Sequence, residues 1–350
     1  MTKNCTVRIV TPQEYPVWDD LIRKSAQGSI FLISDFLTML CETDLTLKKV
    51  MLGCYSQEGE LKAIHAVLYR KVAGISMVCN SHFFYNGPVL PIDSGLPRST
   101  KAEEDCTYLM ALAKYLSKHF PFFPFDTHPS LLDLRPFFRL GWRADLHYTY
   151  IWKLSEFKDL WKKMRQGERK KTRKAQQLFN FKAERWADMG PEFLPIYKKF
   201  VSSYKLYPDE NKLRILSLRV QWMEDHNLCL IVSARTPDGI LRGALITFFS
   251  YEDDTAYFWR LAYDVESLKD GIAPALYYTT LEMIAPKIKY ADTDEAVSPG
   301  LENFKDYLGT DLVPFFTVTS PNYPKEIFRF ARKTKGRLSN IKSFVFHHNK

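Results

Sequence analysis

The sequence lacks any paired-cysteine motif. Its six cysteines (Cys5, Cys41, Cys54, Cys79, Cys106, Cys229) are scattered without a CxxC. That excludes a disulfide frame and reads as reduced, mostly buried thiols. Cys79 with His82 and His226 with Cys229 are lone pairs without the second pair a structural zinc site needs, so no metal site is expected. There is no Gly-x-Ser-x-Gly, P-loop or HExxH. The eight histidines are dispersed apart from His347-His348 and read as structural or surface groups. The one uncharged stretch long enough for a bilayer, Val72 to Ile92, is broken by Asn80, Ser81, His82, Asn86, Gly87 and Pro88, so it reads as strands and turns and not as a transmembrane helix. Ser29 to Leu40 is too short to span and is broken by Asp35. Residues Met1 to Arg8 lack the apolar segment of a signal peptide, and the cytoplasm is the expected location.

What the chain does have is 350 residues, 46% of them apolar and 15% aromatic, enough for two domains or one large doubled one. Its net charge of +9 is concentrated in two places. Between Lys158 and Lys174 nine Lys and Arg face only Asp159 and Glu168. From Lys325 to Lys350 eight face only Glu326, which leaves the remainder at −5. Two basic segments on a mildly acidic body fit specific anionic partners or solvated helix faces.

Hydrophobic periodicity predicts a strand near 6–10, helices near 12–26 and 34–43, and strands near 47–56 and 61–71. A strand over Ile75 to Cys79, a helix near 99–119, a strand over Pro121 to Phe125, a short helix to Phe138 and a strand near 143–153 complete the first half. The second half begins with a basic helix near 155–178 and a strand from Phe181, with helices near 191–204 and 211–225. Strands near 228–235, 240–250 and 255–263 follow. Then come helix 272–285, strand 288–292, helix 301–308, strand 312–319 and a terminal helix from about 324. The two halves repeat the same order of elements, which predicts a mixed α/β fold divided into residues 1–150 and 151–350.

Four segments could carry chemistry. In Pro299 to Gly309, Leu301, Phe304 and Leu308 recur at helical spacing and Gly309 is placed to end the helix. Lys305 on that helix reads either as a solvated flank or as a fixed positive charge beside a developing anion. On the basic helix Arg165, Arg169 and Arg173 share a face, with Lys170 and Lys174 beside them. Like charges at this spacing repel, which fits an anionic partner, with phosphate matching the guanidinium forks. The segment lacks the interleaved aromatics of a single-strand binder. Gly271-Ile272-Ala273 opens a helix, either as an anion or pyrophosphate site or as an ordinary helix start with Pro274 in its first turn. In Tyr257 to Tyr263, alternation sets Tyr257, Trp259, Leu261 and Tyr263 on one face and Phe258, Arg260 and Ala262 on the other. A partly buried Arg260 would serve a substrate anion or an acid such as Asp292.

Together these segments resemble the Fem family of non-ribosomal peptidyltransferases (FemAB/FemX-like). The likeness runs through Trp18 with Gly28-Ser29-Ile30-Phe31, Asn86-Gly87-Pro88-Val89, and Arg169 with Arg173-Lys174-Ala175. It continues in Tyr257 with Arg260 and Ala262, Ala273-Pro274 with Tyr277, and Pro299-Gly300-Leu301 with Phe304-Lys305 and Gly309. The resemblance implies two tandem GNAT-like (acyl-CoA N-acyltransferase) subdomains packed together, with no coiled-coil arm. It implies transfer of an aminoacyl or acyl group from aminoacyl-tRNA or acyl-CoA to an amine, as of a peptidoglycan precursor. Under it Lys305 and Tyr257 are catalytic, and Arg260, Phe304, Tyr277, Asn86, Arg169, Arg173 and Lys174 bind substrate, the arginines by attracting a polyanion such as tRNA. Gly271 and Ala273 would hold an acyl-CoA donor, though Leu268 stands where the GNAT turn has Gln or Arg. No tightly bound cofactor is implied, and no residue is singled out as general base. A conventional CoA-dependent N-acetyltransferase and a non-catalytic RNA-binding protein are the competing readings.

Overall fold

The computed structural model describes residues 5–72, 74–79, 84–92, 95–296 and 298–321. In chain order the described elements are β1 (Thr6–Ile9), α1 (Tyr15–Arg23), α2 (Ser34–Thr43), β2 (Lys48–Tyr55), β3 (Leu61–Val72), β4 (Ile75–Val78), α3 (Arg98–His119), β5 (Pro124–Asp126), α4 (Arg135–Phe138) and β6 (Arg143–Lys153). Then come α5 (Phe157–Lys163), α6 (Gln166–Leu178), β7 (Asn180–Ala183), α7 (Trp186–Ser203), α8 (Glu210–Asp225), β8 (Cys229–Arg235), β9 (Leu241–Ser250), β10 (Thr255–Tyr263), α9 (Ile272–Ile284), β11 (Tyr290–Glu295), α10 (Pro299–Tyr307) and β12 (Asp311–Thr319). The chain divides into two compact units: residues 148–313, and residues up to 147 together with those from 314 onward.

In the first unit β1, β2, β3 and β4 form an antiparallel meander. Leu109, Leu112, Ala113 and Leu116 of α3 pack with Leu52, Ala63 and Val67 from it. The end of β12 pairs with β5, Thr317 opposite Asp126, and Val318 is buried in this core. That pairing assigns the chain beyond Pro314 to the first unit, where the sequence expectation kept all of 151–350 together. The terminal helix expected from about 324, the second basic segment, His347-His348 and residues 80–83 lie outside the described residues.

In the second unit the strand order is β7-β8-β9-β10-β11-β6, antiparallel except for the parallel pair β10–β11. Strand β9 is buried at every position but Arg242, as its nearly continuous apolar run requires. Helix α9 buries ten of its residues, including Ile272, Leu276, Tyr277 and Ile284, into a core with Trp152, Phe258 and Leu245. Each large apolar side chain sunk there contributes about 1.5–3 kcal/mol.

Two departures from periodicity have local causes. The expected single basic helix is α5 and α6, broken where Met164 turns extended and sinks into the core. The Arg165 N–H there donates to the Tyr307 carbonyl at 2.8 Å. Helix α7 starts at Trp186, five residues before Pro191, because its indole N–H donates to Ser217 Oγ at 2.8 Å and its backbone N–H to Glu224 Oε1 at 2.8 Å. Tertiary anchoring outweighs the preference of proline for a first turn.

Candidate active site

Two adjacent strands of the second unit each carry a bulge. On β10, Phe258 faces Thr247 and Arg260 faces Ile246, so Trp259 is extra. On β11, Asp292 faces Ile151 and Glu295 faces Thr149, three residues against two. The parallel ladder between β10 and β11 ends at Tyr257–Asp292 although both strands continue. Past that point the strands are not hydrogen-bonded to each other. Bulges re-aim side chains, and they concentrate beside active sites.

The β10 bulge overturns the alternation read from sequence. Tyr257 faces Phe248 and Arg260 faces Ile246, two positions apart on β9, so Tyr257 and Arg260 share a face. Leu261 and Tyr263 turn instead to the core that holds Phe258. Arg260 is half-buried, lies over the Trp259 ring at 4.2 Å and donates to the Trp259 carbonyl at 2.9 Å. Among the described residues it makes no ion pair, so the expected partnership with Asp292 is absent. Asp292 instead accepts from Thr149 Oγ1 and, at 2.8 Å, from the Asp294 N–H. Tyr257 is buried and its hydroxyl donates to Asp253. Its hydroxyl is thus tied to a carboxylate four residues earlier, within the sheet.

Lys305 is not a solvated flank. It sits four residues after Leu301 and three before Leu308, on the apolar stripe, and is 2% exposed. Its Nζ donates to the carbonyls of Thr293 at 2.7 Å, Asp294 at 2.7 Å and Glu295 at 3.0 Å. An ammonium has three donors, and all three are used. Burial pulls its pKa down to about 8 while Asp294, Asp292 and Glu295 push it up, and three carbonyls at this range hold the proton at neutral pH. Its ammonium therefore clamps the β11 bulge and has no donor left for an oxyanion.

The residue at the centre of the bulge is Asp294, which the sequence reading missed. Its φ of +69° is left-handed, a conformation Asp tolerates better than most residues. Its Oδ1 accepts from the Glu295 N–H at 2.7 Å, and Oδ2 has no hydrogen-bond partner among the described residues. The carboxyl is reached by water yet crowded by protein. That crowding pushes its pKa up, Lys305 and Arg260 pull it back, and Glu295 adds to the rise. Tyr277 projects from α9 into the same field, its ring packed on Phe258 at 5.4 Å, Trp152 at 5.9 Å and Phe304 at 5.7 Å. Burial, then Tyr263 and Asp294, raise the Tyr277 pKa, so its hydroxyl stays a neutral donor, and it has no partner among the described residues. The structure thus brings Arg260, Tyr277, Phe304 and Lys305 around Asp294. The signal in sequence was the run Asp292-Thr293-Asp294-Glu295 closing an apolar strand just before a helix, but the expected strand stopped at 292.

The remaining expected residues lie elsewhere. Asn86, in the first unit, is 1% exposed and locked to Asp126: its Oδ1 accepts from the Asp126 N–H at 2.8 Å and its N–H donates back at 3.0 Å. Of the basic face, Arg165 stacks on Tyr307 at 4.2 Å, Arg173 lies over Trp161 at 5.2 Å, and Lys174 pairs with Asp270 at 2.7 Å. The guanidinium of half-buried Arg169 has no polar partner among the described residues. The helix start at Gly271-Ile272-Ala273 is a packing joint, not an open anion site. Gly271 has φ +81°, and a Cβ there would stand 2.4 Å from the Lys171 carbonyl oxygen of α6. Ile272 is fully buried, Ala273 is 4% exposed, and Pro274 lacks an N–H. Among the described residues no helix is long and apolar enough to cross a membrane, and no group of three His, Cys, Asp or Glu could hold a metal ion.

No protein-family model and no curated protein matches the chain. Solved structures do. A crystal structure of FemX superposes with a TM-score of 0.62 at 10% identity, over 89% of this chain and 96% of that one. L-PGS from Bacillus licheniformis gives 0.59 at 13% identity, over 92% and 96%. A tandem GNAT protein from the clavulanic acid biosynthesis pathway gives 0.56 at 11% identity, over 90% and 98%. The chain has a FemX-like double GNAT fold.

Proposed function

We propose that this protein is a Fem/GNAT-type acyltransferase that moves an aminoacyl group from aminoacyl-tRNA to an amine, the amine of a cell-wall precursor being the acceptor suggested by the Fem resemblance. The observation that supports it most directly is the pair of donors where β10 and β11 part: among the described residues Arg260 has no ion pair and the Tyr277 hydroxyl has no partner. Acyl transfer needs donors aimed where a carbonyl oxygen becomes an oxyanion. Arg260 and Tyr277 would supply them, Phe304 would pack against the acyl group, and Lys305 would hold the bulge in shape.

Helix α6 supports the choice of donor. A coenzyme pyrophosphate would need the Gly271 turn, which α6 covers. The same helix leaves Arg169 unpaired and Lys170 exposed for a polyanion. The test is transfer by the full chain from a pool of charged tRNA and from acetyl-CoA to a lysine-bearing cell-wall peptide. Transfer from tRNA is expected, with tRNA affinity falling with salt and lowered roughly tenfold by Arg169→Glu. Transfer from acetyl-CoA alone would turn the reading to a conventional N-acetyltransferase, and salt-dependent tRNA binding without transfer would turn it to a non-catalytic RNA binder.

A further inference from the structure

The mechanism above lacks a group to take the proton from the acceptor, which arrives as an ammonium at neutral pH. We infer that Asp294 is that group. The inference rests on the acyl-transfer reading and on the geometry of the β11 bulge.

Asp294 has one oxygen tethered and one spare. The Glu295 N–H holds Oδ1 at 2.7 Å, which fixes the plane of the carboxylate and leaves Oδ2 open to water. The left-handed backbone and the extra residue in β11 turn this side chain out of the ladder. Three structural features hold it there: the Asp294 N–H bonded to Asp292 Oδ1 at 2.8 Å, the Asp294 carbonyl on Lys305 Nζ at 2.7 Å, and flanking carbonyls on the same ammonium. Strained backbone held by so many bonds is typical of functional positions. Every element near the carboxyl contributes a charged or titratable group. They are Lys305 from α10, Arg260 from β10, Tyr277 from α9, Asp292 and Glu295 on β11 itself, and Tyr150 from β6, whose ring lies 5.3 Å from Lys305 Nζ. Crowding by protein raises the carboxyl's pKa while Lys305 and Arg260 pull against it, and a raised carboxylate is the better proton acceptor.

The acceptor R–NH3+ gives one proton to Asp294 Oδ2, and the freed lone pair attacks the ester carbonyl carbon. A C–N bond forms and the carbonyl oxygen takes negative charge against Arg260 and Tyr277. The C–O bond to the tRNA ribose then breaks, and the leaving oxygen departs with the electron pair and takes the second nitrogen proton. Asp294 returns its proton to water.

The experiment compares wild type, Asp294→Asn and Asp294→Gly, with charged tRNA as donor and two acceptors, the lysine-bearing peptide and hydroxylamine, which is unprotonated at neutral pH. Asn and Gly both accept a left-handed φ, so both variants should fold, and thermal melting verifies it. Transfer to lysine should drop about 100-fold or more in kcat/KM and lose the acid limb of its pH profile, and transfer to hydroxylamine should drop less than about tenfold. A purely structural role would lower both acceptors alike and keep the acid limb, which would overturn the assignment while leaving acyl transfer standing. Wild-type protein inert towards both acceptors would overturn acyl transfer itself and the assignment with it.

Discussion

Lys305 shows how far a single residue can depart from its pattern. Its place in Phe304-Lys305 was legible, but its environment was not, because the three carbonyls that surround it come from residues ten to twelve positions earlier. Lys305→Met should leave those carbonyls without a donor and cost about 2–4 kcal/mol, read as a lower midpoint in urea unfolding. Unchanged stability would mean that water replaces the ammonium freely. Activity should fall with it, since the bulge that presents Asp294 depends on the clamp. His65 gives a second residue-scale case. It is 1% exposed, its Nδ1–H donates to the Ala66 carbonyl at 3.0 Å, Nε2 has no partner, and Phe123 and Phe125 each meet it edge-on at 5.2 Å. Burial drives its pKa down to about 4. The unfolded chain therefore binds a proton between about pH 6.5 and 4 that the folded chain refuses, and stability is lost as pH falls through that window, by on the order of 3 kcal/mol. Equilibrium unfolding across this range should show the slope in wild type and a flatter curve in His65→Leu.

At the scale of elements, the bulges and the α6–α9 joint determine what the site can be. Strict alternation placed Arg260 opposite Tyr257, and one extra residue at Trp259 moved them to the same face. No local preference for that bulge is visible in Phe258-Trp259-Arg260; it shows only in the register with the preceding strand, β9. The joint is similar. Gly271 looked like the opening of a phosphate site because glycine with a helix behind it is common to both uses. The difference is made by Lys171, a hundred residues upstream, whose carbonyl lies where a Cβ would be. Gly271→Ala should push α6 from α9 and cost about 2–4 kcal/mol, from the left-handed φ and the backbone contact together. A melting temperature equal to wild type would reopen the turn as a ligand site. Gly309, by contrast, ends α10 as its position in the sequence indicated, with φ +78°.

For the whole molecule, charge is the property that composition stated best. The concentration of basic residues between Lys158 and Lys174 was visible at once. The structure then separates it into arginines stacked on Tyr307 and Trp161, four lysines (Lys162, Lys163, Lys171 and Lys174) paired with acids, and the remaining Lys158, Arg169 and Lys170. Only this remainder is available to a polyanion, so the salt dependence of tRNA binding should be shallower than the full charge count implies. A slope matching all nine cations would show that the stacked arginines release their rings on binding.

The sequence by itself determined the mixed α/β class, the doubled order of elements and nearly every helix and strand, because apolar periodicity and turn residues act over a few positions. It also placed Arg260, Tyr277, Phe304 and Lys305 among the candidates. Tertiary structure alone decided that Lys305 is a clamp, that the Gly271 turn is covered, that Asn86 and Tyr257 are tied within the protein, and that Asp294 is set with one carboxylate oxygen open among charged neighbours. Those outcomes depend on carbonyls, carboxylates and backbone that folding brings together from separate elements or across a turn, which apolar periodicity does not encode.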